Sequence, residues 1–494
     1  VGINLTSTIA RANMILNSPR GSGNTSYAEA LSAKSIFGFE QSIHYITFIL
    51  RSFSTDLMGN GSKFRGWHNY LEAPATYSGV ISLVLLPQVF AVIRKQRKFI
   101  FGAFLLVWAI IVIFPYFRYA FYAFTGDYYK AVMNYCIIVT FIFFSTYALN
   151  AIIQQGKKIN LIVLGGTLVL LFIALYYPYF PDNYQIIDKD LRAVIRNFII
   201  LYAILLALLN IGKIRLYIQI ALLLTIIFEI GYLANITVNR REAVKTEELL
   251  KKEGFNDYSV EAIQYLDSIE GDNFYRVEKE YSSSTAIHGS LNDAKIQNYY
   301  GTSNYSSFNQ LNYIRFLQET GIIKKGDETS ARWAPGLRSR PFLMGYGSVK
   351  YMLTKSDTSG YLRFGFKPVK KIKNVTILKN PFYIPFGFTT NQYVPFNEFK
   401  DYNQIQKDLS MLGAVVLDSS QVPEYNESLK KFDVNSIPEN LSWNYFDSIV
   451  NDLRKDTLQI TEFKHHNIKG KIAVDSSRML LFTIPFDPGW HAFV

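Results

Sequence analysis

Charged residues within otherwise apolar sequence are the positions of this chain whose types and spacing suggest chemistry. Asp127 stands in the segment FTGDYYKAVMNY (124–135), between Arg118 and Lys130. A carboxylate flanked by two cations predicts a cluster that faces a phosphate group, because cations form charge-assisted hydrogen bonds with phosphate oxygens. The alternative is a loop at a membrane interface, whose basic side chains meet lipid headgroups. The sequence leaves both interpretations open.

A second group consists of Glu229, Arg192 and Arg196. Glu229 is the one acid within a long apolar run, and an ionisable residue at membrane depth predicts a function and a partner. Arg192 and Arg196 are four residues apart and share a helix face, so either is a candidate partner. The two arginines could grip a lipid phosphate, or their side chains could simply reach the membrane surface. A structural ion pair with Glu229 is a further alternative.

Three other features of the sequence do not predict a site. His465 and His466 are adjacent and have no third ligand at metal-binding spacing, so we predict no metal site. The serines at 282–284 lack the G-x-S-x-G turn of a hydrolase nucleophile. Cys136 is the single cysteine, which excludes an internal disulfide framework.

Aromatic residues in the second half of the chain allow two interpretations. Trp333, Tyr299, Tyr300 and Tyr305 could stack on sugar rings in a cleft, because their rings offer flat apolar faces. Packing in a hydrophobic core is the alternative.

Six apolar runs must position the charged residues. They cover residues 78–93, 99–117, 131–153, 159–177, 194–211 and 214–235. Five approach or reach the ~20 residues of a membrane-crossing helix, and the shorter run at 78–93 carries Pro87. A buried core helix is the alternative for any single run, but six in succession predict a multi-pass α-helical membrane domain at 78–235.

The loops between these runs alternate in character. The basic segments RKQRK (94–98), QGKK (155–158) and GKIR (212–215) occupy every second loop, and basic loops are typical of the cytoplasmic side of a membrane. The other loops are long and aromatic, as expected at an outer interface. With six spans, an outer loop region at 1–77 and the residues from 236 onward both lie outside the cytoplasm.

Residues 236–494 predict a separate extracytoplasmic α+β domain with a β-rich end. A helix-like stretch, TEELLKKEG (246–254), precedes runs that alternate or are rich in β-branched residues. These strand candidates are 273–281, 348–354, 373–379, 414–420 and 469–477. The fold class is therefore a multi-pass helical membrane domain followed by an α+β, sandwich-like domain.

The formal net charge of +12 does not indicate a nucleic-acid partner. Residues 78–235 contain 13 Lys and Arg against 5 Asp and Glu, whereas residues 236–494 contain 32 against 30. The surplus therefore lies among the apolar runs, where it reports membrane orientation. Membrane lipid, rather than nucleic acid, is the expected partner.

An ordered set of segments resembles the YfhO-type family of bacterial membrane proteins. The segments are FEIGYLAN (228–235), NFYRVEKEY (273–281), NYYGTSNYSSFNQLNYIRFL (298–317), SVKYML (348–353), KNPFYIPFGF (379–388) and the closing IPFDPGWHAFV. The family's Gly-Phe and Arg-Trp pattern in the loop after the second span is replaced here by FTGDYYKAVMNY. That loop therefore does not identify a sugar or an acceptor.

The resemblance implies a GT-C-like glycosyltransferase of the bacterial cytoplasmic membrane. Such an enzyme transfers a sugar from a polyprenyl-phosphate donor to a cell-envelope glycopolymer at the outer membrane face. The resemblance also implies that the main catalytic acid lies upstream of Val1, and that a terminal β-sandwich continues beyond residue 494. Asp127 and Glu229 are then the catalytic candidates within this chain. The candidate phosphate-binding residues are Arg118, Lys130, Arg192 and Arg196.

A non-catalytic protein is the alternative function. It would be a membrane transporter, or a scaffold whose outer domain binds a glycan or an envelope polymer. A transporter predicts inverted repeats and interrupted spans, but only Pro87 and the pair Gly165-Gly166 interrupt the runs. No cofactor is predicted beyond the lipid-linked sugar, and a need for a divalent metal stays open.

Overall fold

The chain forms two compact units. The computed structural model describes residues 2–21, 27–129, 132–180, 186–241, 243, 245–283 and 291–494. One unit, here called the helical unit, is Ala28–Ala243, and the other, the sheet unit, is Val1–Tyr27 together with Val244–Val494. The domain boundaries expected from the sequence, after residues 77 and 235, stay a prediction.

Helices dominate the first half of the chain. They are α1 (Gly2–Leu16), α2 (Tyr27–Ser32), α3 (Ser42–Phe53), α4 (Val80–Leu85), α5 (Val89–Val92), α6 (Lys95–Ile113), α7 (Pro115–Phe121), α8 (Val132–Ile153), α9 (Leu161–Tyr176), α10 (Lys189–Leu208) and α11 (Arg215–Asn239). The side chains of Asn160 and Asp188 accept hydrogen bonds from backbone N–H groups in the first turns of α9 and α10. These caps define where the two helices begin. Pro115 starts α7, because the residue before a proline avoids helical backbone angles.

Four of the predicted apolar runs form helices long and apolar enough to cross a membrane. They are α6, α8, α10 and the segment Gly212–Asn239, which contains α11. The runs at 78–93 and 159–177 form shorter apolar helices, Val80–Val92 and Leu161–Tyr176. A 3-10 turn at Leu86–Gln88 interrupts the first of these at Pro87, since proline lacks the N–H that continues an α-helix. The number of spans stays a prediction.

The long helices expose apolar side chains, which is the property expected of a protein in lipid. The most apolar window of α6 is 0% buried, and Phe99 and Leu106 on this helix are 81% and 60% exposed. A large apolar surface of this kind is unfavourable in water. The inner faces of α4, α8 and α10 form a core instead, through residues such as Val84, Ile137 and Ile199.

The sheet unit alternates short helices and short strands. Its further helices are α12 (Thr246–Leu250), α13 (Ser259–Glu270), α14 (Asp293–Ile296), α15 (Leu311–Glu319), α16 (Glu328–Arg332), α17 (Pro341–Tyr346), α18 (Phe396–Phe399), α19 (Gln404–Gly413), α20 (Val422–Tyr425) and α21 (Trp443–Leu453). Its strands are β1 (Arg276–Lys279), β2 (Asn304–Tyr305), β3 (Trp333–Ala334), β4 (Val349–Thr354), β5 (Lys367–Ile372), β6 (Val375–Lys379), β7 (Phe388–Thr390), β8 (Gln392–Pro395), β9 (Val415–Leu417), β10 (Lys430–Lys431), β11 (Gln459–Lys464), β12 (Asn467–Lys471) and β13 (Met479–Leu481).

The largest sheet of this unit has four strands in the order β1-β4-β6-β5. β1 and β4 are parallel, while β4 pairs antiparallel with β6, and β6 with β5. Helix α13 packs on this sheet through Ile263 and Leu266 against Val277 and Ile377. The remaining strands form a three-stranded sheet, β10-β8-β9, and the pairs β11-β12, β13-β7 and β2-β3.

Each of the five strand candidates of the sequence contains at least part of one observed strand. β1, β4, β6, β9 and β12 each lie at least partly within a predicted segment. β12 ends at Lys471, so the part of the last segment from 472 to 477 is not a strand. The predicted α+β character is confirmed at this coarse level. The described strands do not show the two packed sheets of a β-sandwich. The terminal sandwich therefore stays a prediction.

Candidate functional site

Arg118 is the centre of a buried polar cluster in the helical unit. It lies on the short helix α7 and its side chain is fully buried. Its Nη2 donates a hydrogen bond to Glu40 Oε1 (2.9 Å), its Nη1 to His44 Nε2 (3.1 Å) and its Nε to the carbonyl oxygen of Asp127 (2.8 Å). Each guanidinium nitrogen therefore has a protein acceptor.

Three aromatic rings surround the same guanidinium. Its carbon lies 5.1 Å from the ring centroid of Trp67, 5.4 Å from that of Tyr119 and 5.1 Å from that of Tyr129. A cation over aromatic faces is stabilised by the ring quadrupoles, more strongly when water is excluded. The sequence predicts Arg118 as a phosphate ligand. The structure places it inside the protein as the residue that connects α3, α7 and the loop before α8.

His44 is the neutral member of this cluster. Its Nε2 accepts from Arg118 and lies 2.9 Å from the hydroxyl of Tyr129, which assigns the ring proton to Nδ1. Burial, and secondarily the charge of Arg118, lower the pKa of His44 to about 3. His44 Nδ1 is buried and has no hydrogen-bond partner among the described residues.

A partly exposed group of His68, Glu72 and Asp127 adjoins the buried cluster. His68 Nδ1 lies 3.3 Å from Glu72 Oε2 and its Nε2 lies 3.9 Å from Asp127 Oδ1. The three side chains are 29%, 15% and 23% exposed. Asp127 Oδ1 is itself buried from solvent and accepts no hydrogen bond from any described residue. A histidine between two carboxylates, within reach of solvent, is an arrangement suited to accepting and moving a proton.

The backbone around this group adopts angles that side chains usually avoid. His68 has a φ of +61°, and Ala123 and Phe124, in the loop that carries Asp127, have φ values of +49° and +58°. Non-glycine residues in this region store strain, which is concentrated at functional sites. The backbone N–H of Tyr129 donates to the carbonyl of Glu72 (3.0 Å). This bond joins the two loops that carry the group.

Glu229 is buried within α11 and is fully satisfied by neutral donors. Its Oε1 accepts from the hydroxyl of Tyr77 (2.7 Å) and the backbone N–H of Val80 (2.6 Å), and its Oε2 accepts from the hydroxyl of Tyr202 (2.6 Å). The arginine partner considered from the sequence is not among these contacts. The carboxylate connects α11 with α10 and with the start of α4.

The two candidate cations of α10 are more accessible than Arg118. Arg192 lies over the ring of Tyr176, with its guanidinium carbon 4.9 Å from the centroid. Arg196 is exposed and donates to the side-chain oxygen of Asn197 (3.2 and 3.1 Å). Neither has an ion-pair partner in the part of the chain that the structure describes. Lys130, the remaining candidate cation, lies outside the described residues.

Glu40, His44, His68 and Glu72 are members of the site that the sequence analysis missed. All four belong to the stretch predicted only as an outer loop region. A spacing signal was present, because Glu40 and His44, and likewise His68 and Glu72, are four residues apart. Among the described residues, no group of three or more His, Cys, Asp or Glu has the arrangement of a metal site.

Comparison with known proteins identifies the family. A family profile described as bacterial membrane protein YfhO matches residues 31–444, which include both the buried cluster and most of the sheet unit. Searches of curated proteins and of solved structures found no match. The match covers most of the chain and agrees with the long apolar helices. The chain therefore belongs to the bacterial membrane protein YfhO family.

Proposed function

We propose that the protein is a glycosyltransferase of the bacterial cytoplasmic membrane. It transfers a sugar from a polyprenyl-phosphate donor to a cell-envelope acceptor at the outer face, with the sheet unit outside the cytoplasm. The family resemblance suggests the reaction class, and the long apolar helices support a membrane location. The observation that carries the proposal is the group of His68, Glu72 and Asp127. This group can accept and transfer a proton, and it belongs to a unit with helices of membrane-spanning length.

The proposed role of this group follows from the chemistry of sugar transfer. The acceptor hydroxyl must lose a proton as its oxygen bonds to the sugar, and a positioned carboxylate or histidine can accept it. The Asp127 carboxylate suits this role because its side chain is partly exposed and because its Oδ1, although buried, accepts no hydrogen bond from any described residue. His68 then stabilises the Asp127 carboxylate, and Glu72 orients the imidazole from the other side. Arg118 is a positioning residue, since it holds the Asp127 carbonyl.

The departing phosphate needs cations at the membrane surface. Arg192 and Arg196 suit this role better than Arg118, because no described carboxylate neutralises them. Lys130 is a third proposed phosphate ligand, from its position three residues after Asp127 in the sequence. The acid that the resemblance places upstream of Val1 is the competing assignment for proton acceptance.

Sugar transfer by the full-length protein in membrane vesicles tests the proposal. With a polyprenyl-phosphate sugar as donor, Asp127→Asn should lower the rate by about 100-fold or more, the usual contribution of a general base. Asp357→Asn is the matched control, because Asp357 is 81% exposed on the sheet unit. The control should transfer sugar at the unaltered rate.

Three results would contradict parts of this proposal. If Asp127→Asn transfers sugar at the unaltered rate and normal membrane levels, Asp127 is not the general base, and the competing upstream acid takes that assignment. Unchanged transfer by Arg192→Ala and Arg196→Ala would remove these arginines from the phosphate site. Absence of transfer by the unaltered protein would instead favour the non-catalytic transporter or scaffold.

A further inference from the structure

The sheet unit contains a cavity of about 530 Å³. It lies beside the start of β1, between the segment from Tyr299 to Asn304 and the residues that follow β13. Its volume is within the range of pockets that enclose small-molecule ligands, roughly 300 to 1,000 Å³. The chemistry proposed for the helical unit does not involve this cavity.

Arg276 is a cation in the wall of this cavity that lacks a carboxylate partner. Its Nη1 donates to the carbonyl of Gly347 (2.6 Å) and to the hydroxyl of Thr483 (3.2 Å), and its Nη2 donates to the carbonyl of Thr483 (2.8 Å). All these acceptors are neutral. Burial lowers the pKa of Arg276 to about 10, so the guanidinium remains charged at neutral pH.

Three other cations of the sheet unit pair with carboxylates. Lys279 pairs with Asp293 (2.9 Å), Lys350 with Glu270 (2.5 Å), and Arg340 with Asp408. Buried charges are normally paired in this way, because an unpaired charge loses its hydration without compensation. Arg276 is half-buried and bonds only to neutral acceptors, so a bound anion would supply the countercharge that it lacks.

The acid two residues further along β1, Glu278, forms no ion pair with Arg276 among the described contacts, although its charge favours the charged form of Arg276 from a distance. Glu278 accepts hydrogen bonds from the backbone N–H (2.7 Å) and the hydroxyl of Thr302, and burial raises its pKa. Lys295, exposed at the edge of the same cavity, adds a second cation without a described ion-pair partner. The charge in the cavity is thus predominantly positive.

The rest of the lining suits a sugar ring. Tyr300 and Phe486 are 45% and 66% exposed, so the open part of each ring can stack on the apolar face of a pyranose, although Tyr300 also packs against Phe274 (4.9 Å between centroids). Asn312 donates to the carbonyl of Phe486 (2.9 Å) and holds that residue in place, while Asn304 adds a polar side chain to the lining. Of the other aromatic candidates of the sequence, Tyr299 also lines the cavity, whereas Tyr305 and Trp333 pack on each other at 4.3 Å between centroids.

We propose that this cavity binds a saccharide that carries an anionic group such as a phosphate. The anionic group lies against Arg276 and Lys295, and the sugar ring stacks on Tyr300 and Phe486. The inference concerns the sheet unit alone and holds whether or not the helical unit transfers sugar.

Titration calorimetry on the full chain tests the proposal, in a detergent without a sugar headgroup. The probes are glucose 1-phosphate, methyl glucoside and inorganic phosphate. Glucose 1-phosphate should bind at least tenfold more tightly than either of the others, because it alone uses both the cations and the aromatic faces. Lys295→Gln should weaken its binding severalfold, and Arg276→Gln at least tenfold, while Tyr300→Ala should weaken both sugar probes.

Controls separate binding from folding. Lys295 is exposed and has no described ion-pair partner, so Lys295→Gln should keep the unaltered melting temperature even if Arg276→Gln, or Tyr300→Ala with its lost ring contacts, does not. Lys455→Gln, which removes a cation that is 70% exposed, should bind all probes as the unaltered protein does. Equal affinity for phosphate and glucose 1-phosphate would overturn the saccharide assignment. Absence of glucose 1-phosphate binding, or unchanged binding by the three site variants, would overturn the site.

Discussion

His44 couples proton binding to the stability of the helical unit. In the folded protein its pKa is about 3, compared with 6.5 for an unperturbed histidine. Between these values the unfolded chain binds a proton that the folded chain does not. The contribution of neutral His44 to the free energy of unfolding is therefore fully present above pH 6.5 and is lost as the pH falls toward 3.

This coupling predicts a pH-dependent melting temperature. One pH unit inside this window corresponds to about 1.4 kcal/mol, so acidification from pH 7.5 to 5 should destabilise the unaltered protein by about 2 kcal/mol through His44. His44→Gln should melt with a smaller difference between the two pH values. The melting temperature of the detergent-solubilised full chain is the measurement. His466→Gln, at an exposed histidine, should keep the full difference, and an equal difference in both variants would contradict the role of His44.

Arg118 illustrates how the same residue type serves different purposes. Its guanidinium forms an ion pair with Glu40, donates a hydrogen bond to the imidazole of His44 and lies over aromatic rings. A phosphate could reach it only by displacing these partners. Arg196, which is exposed and bonded only to Asn197 among the described residues, is the better placed ligand for an external anion.

At the scale of helices, the buried carboxylate of Glu229 connects α11 with two other helices through hydrogen bonds. It lies on α11 and accepts from Tyr202 on α10 and from the N–H of Val80 at the start of α4. A buried carboxylate with three donors stabilises the contact between these helices, whereas an unsatisfied polar group there would be unfavourable.

Glu229→Gln should therefore destabilise the helical unit. The amide keeps one acceptor oxygen and replaces the other with an N–H₂ group, so at least one of the three donors loses its partner. The expected loss is about 1–3 kcal/mol, seen as a lower melting temperature and a lower membrane level. Asp190→Asn, at an exposed acid on α10, should change neither. An unaltered melting temperature combined with lost sugar transfer would instead return Glu229 to a functional role.

At the scale of the whole molecule, the alternation of basic and aromatic loops predicts the membrane orientation. Single cysteines at Lys98 and Ser420, both exposed, test it in a Cys136→Ser background. In intact cells an impermeant maleimide should label the cysteine at 420 but not the one at 98, because the basic loop lies in the cytoplasm. Both should react after permeabilisation. Labelling at 98 with protection at 420 would reverse the proposed topology.

The sequence alone determined the membrane class, the apolar helices and the positions of several strands. These properties are local: hydropathy over about twenty residues marks a potential span, and alternation or β-branching over a few residues marks a strand. The family could also be identified from the sequence, because several short segments resemble those of the family and follow one another in the same order. Asp127 was singled out from the sequence in a similar way, as a charged residue in an apolar setting, and its role stays a prediction.

Tertiary structure alone decided which residues meet. Arg118 contacts Glu40 and His44 across 78 and 74 residues of chain, and Arg276 contacts Thr483 across 207. No local pattern encodes such pairs, because they depend on how distant elements pack. The same packing buries Arg118, which the sequence predicts as a phosphate ligand, among protein acceptors, and leaves Arg276 as a cation in a cavity wall without an ion-pair partner.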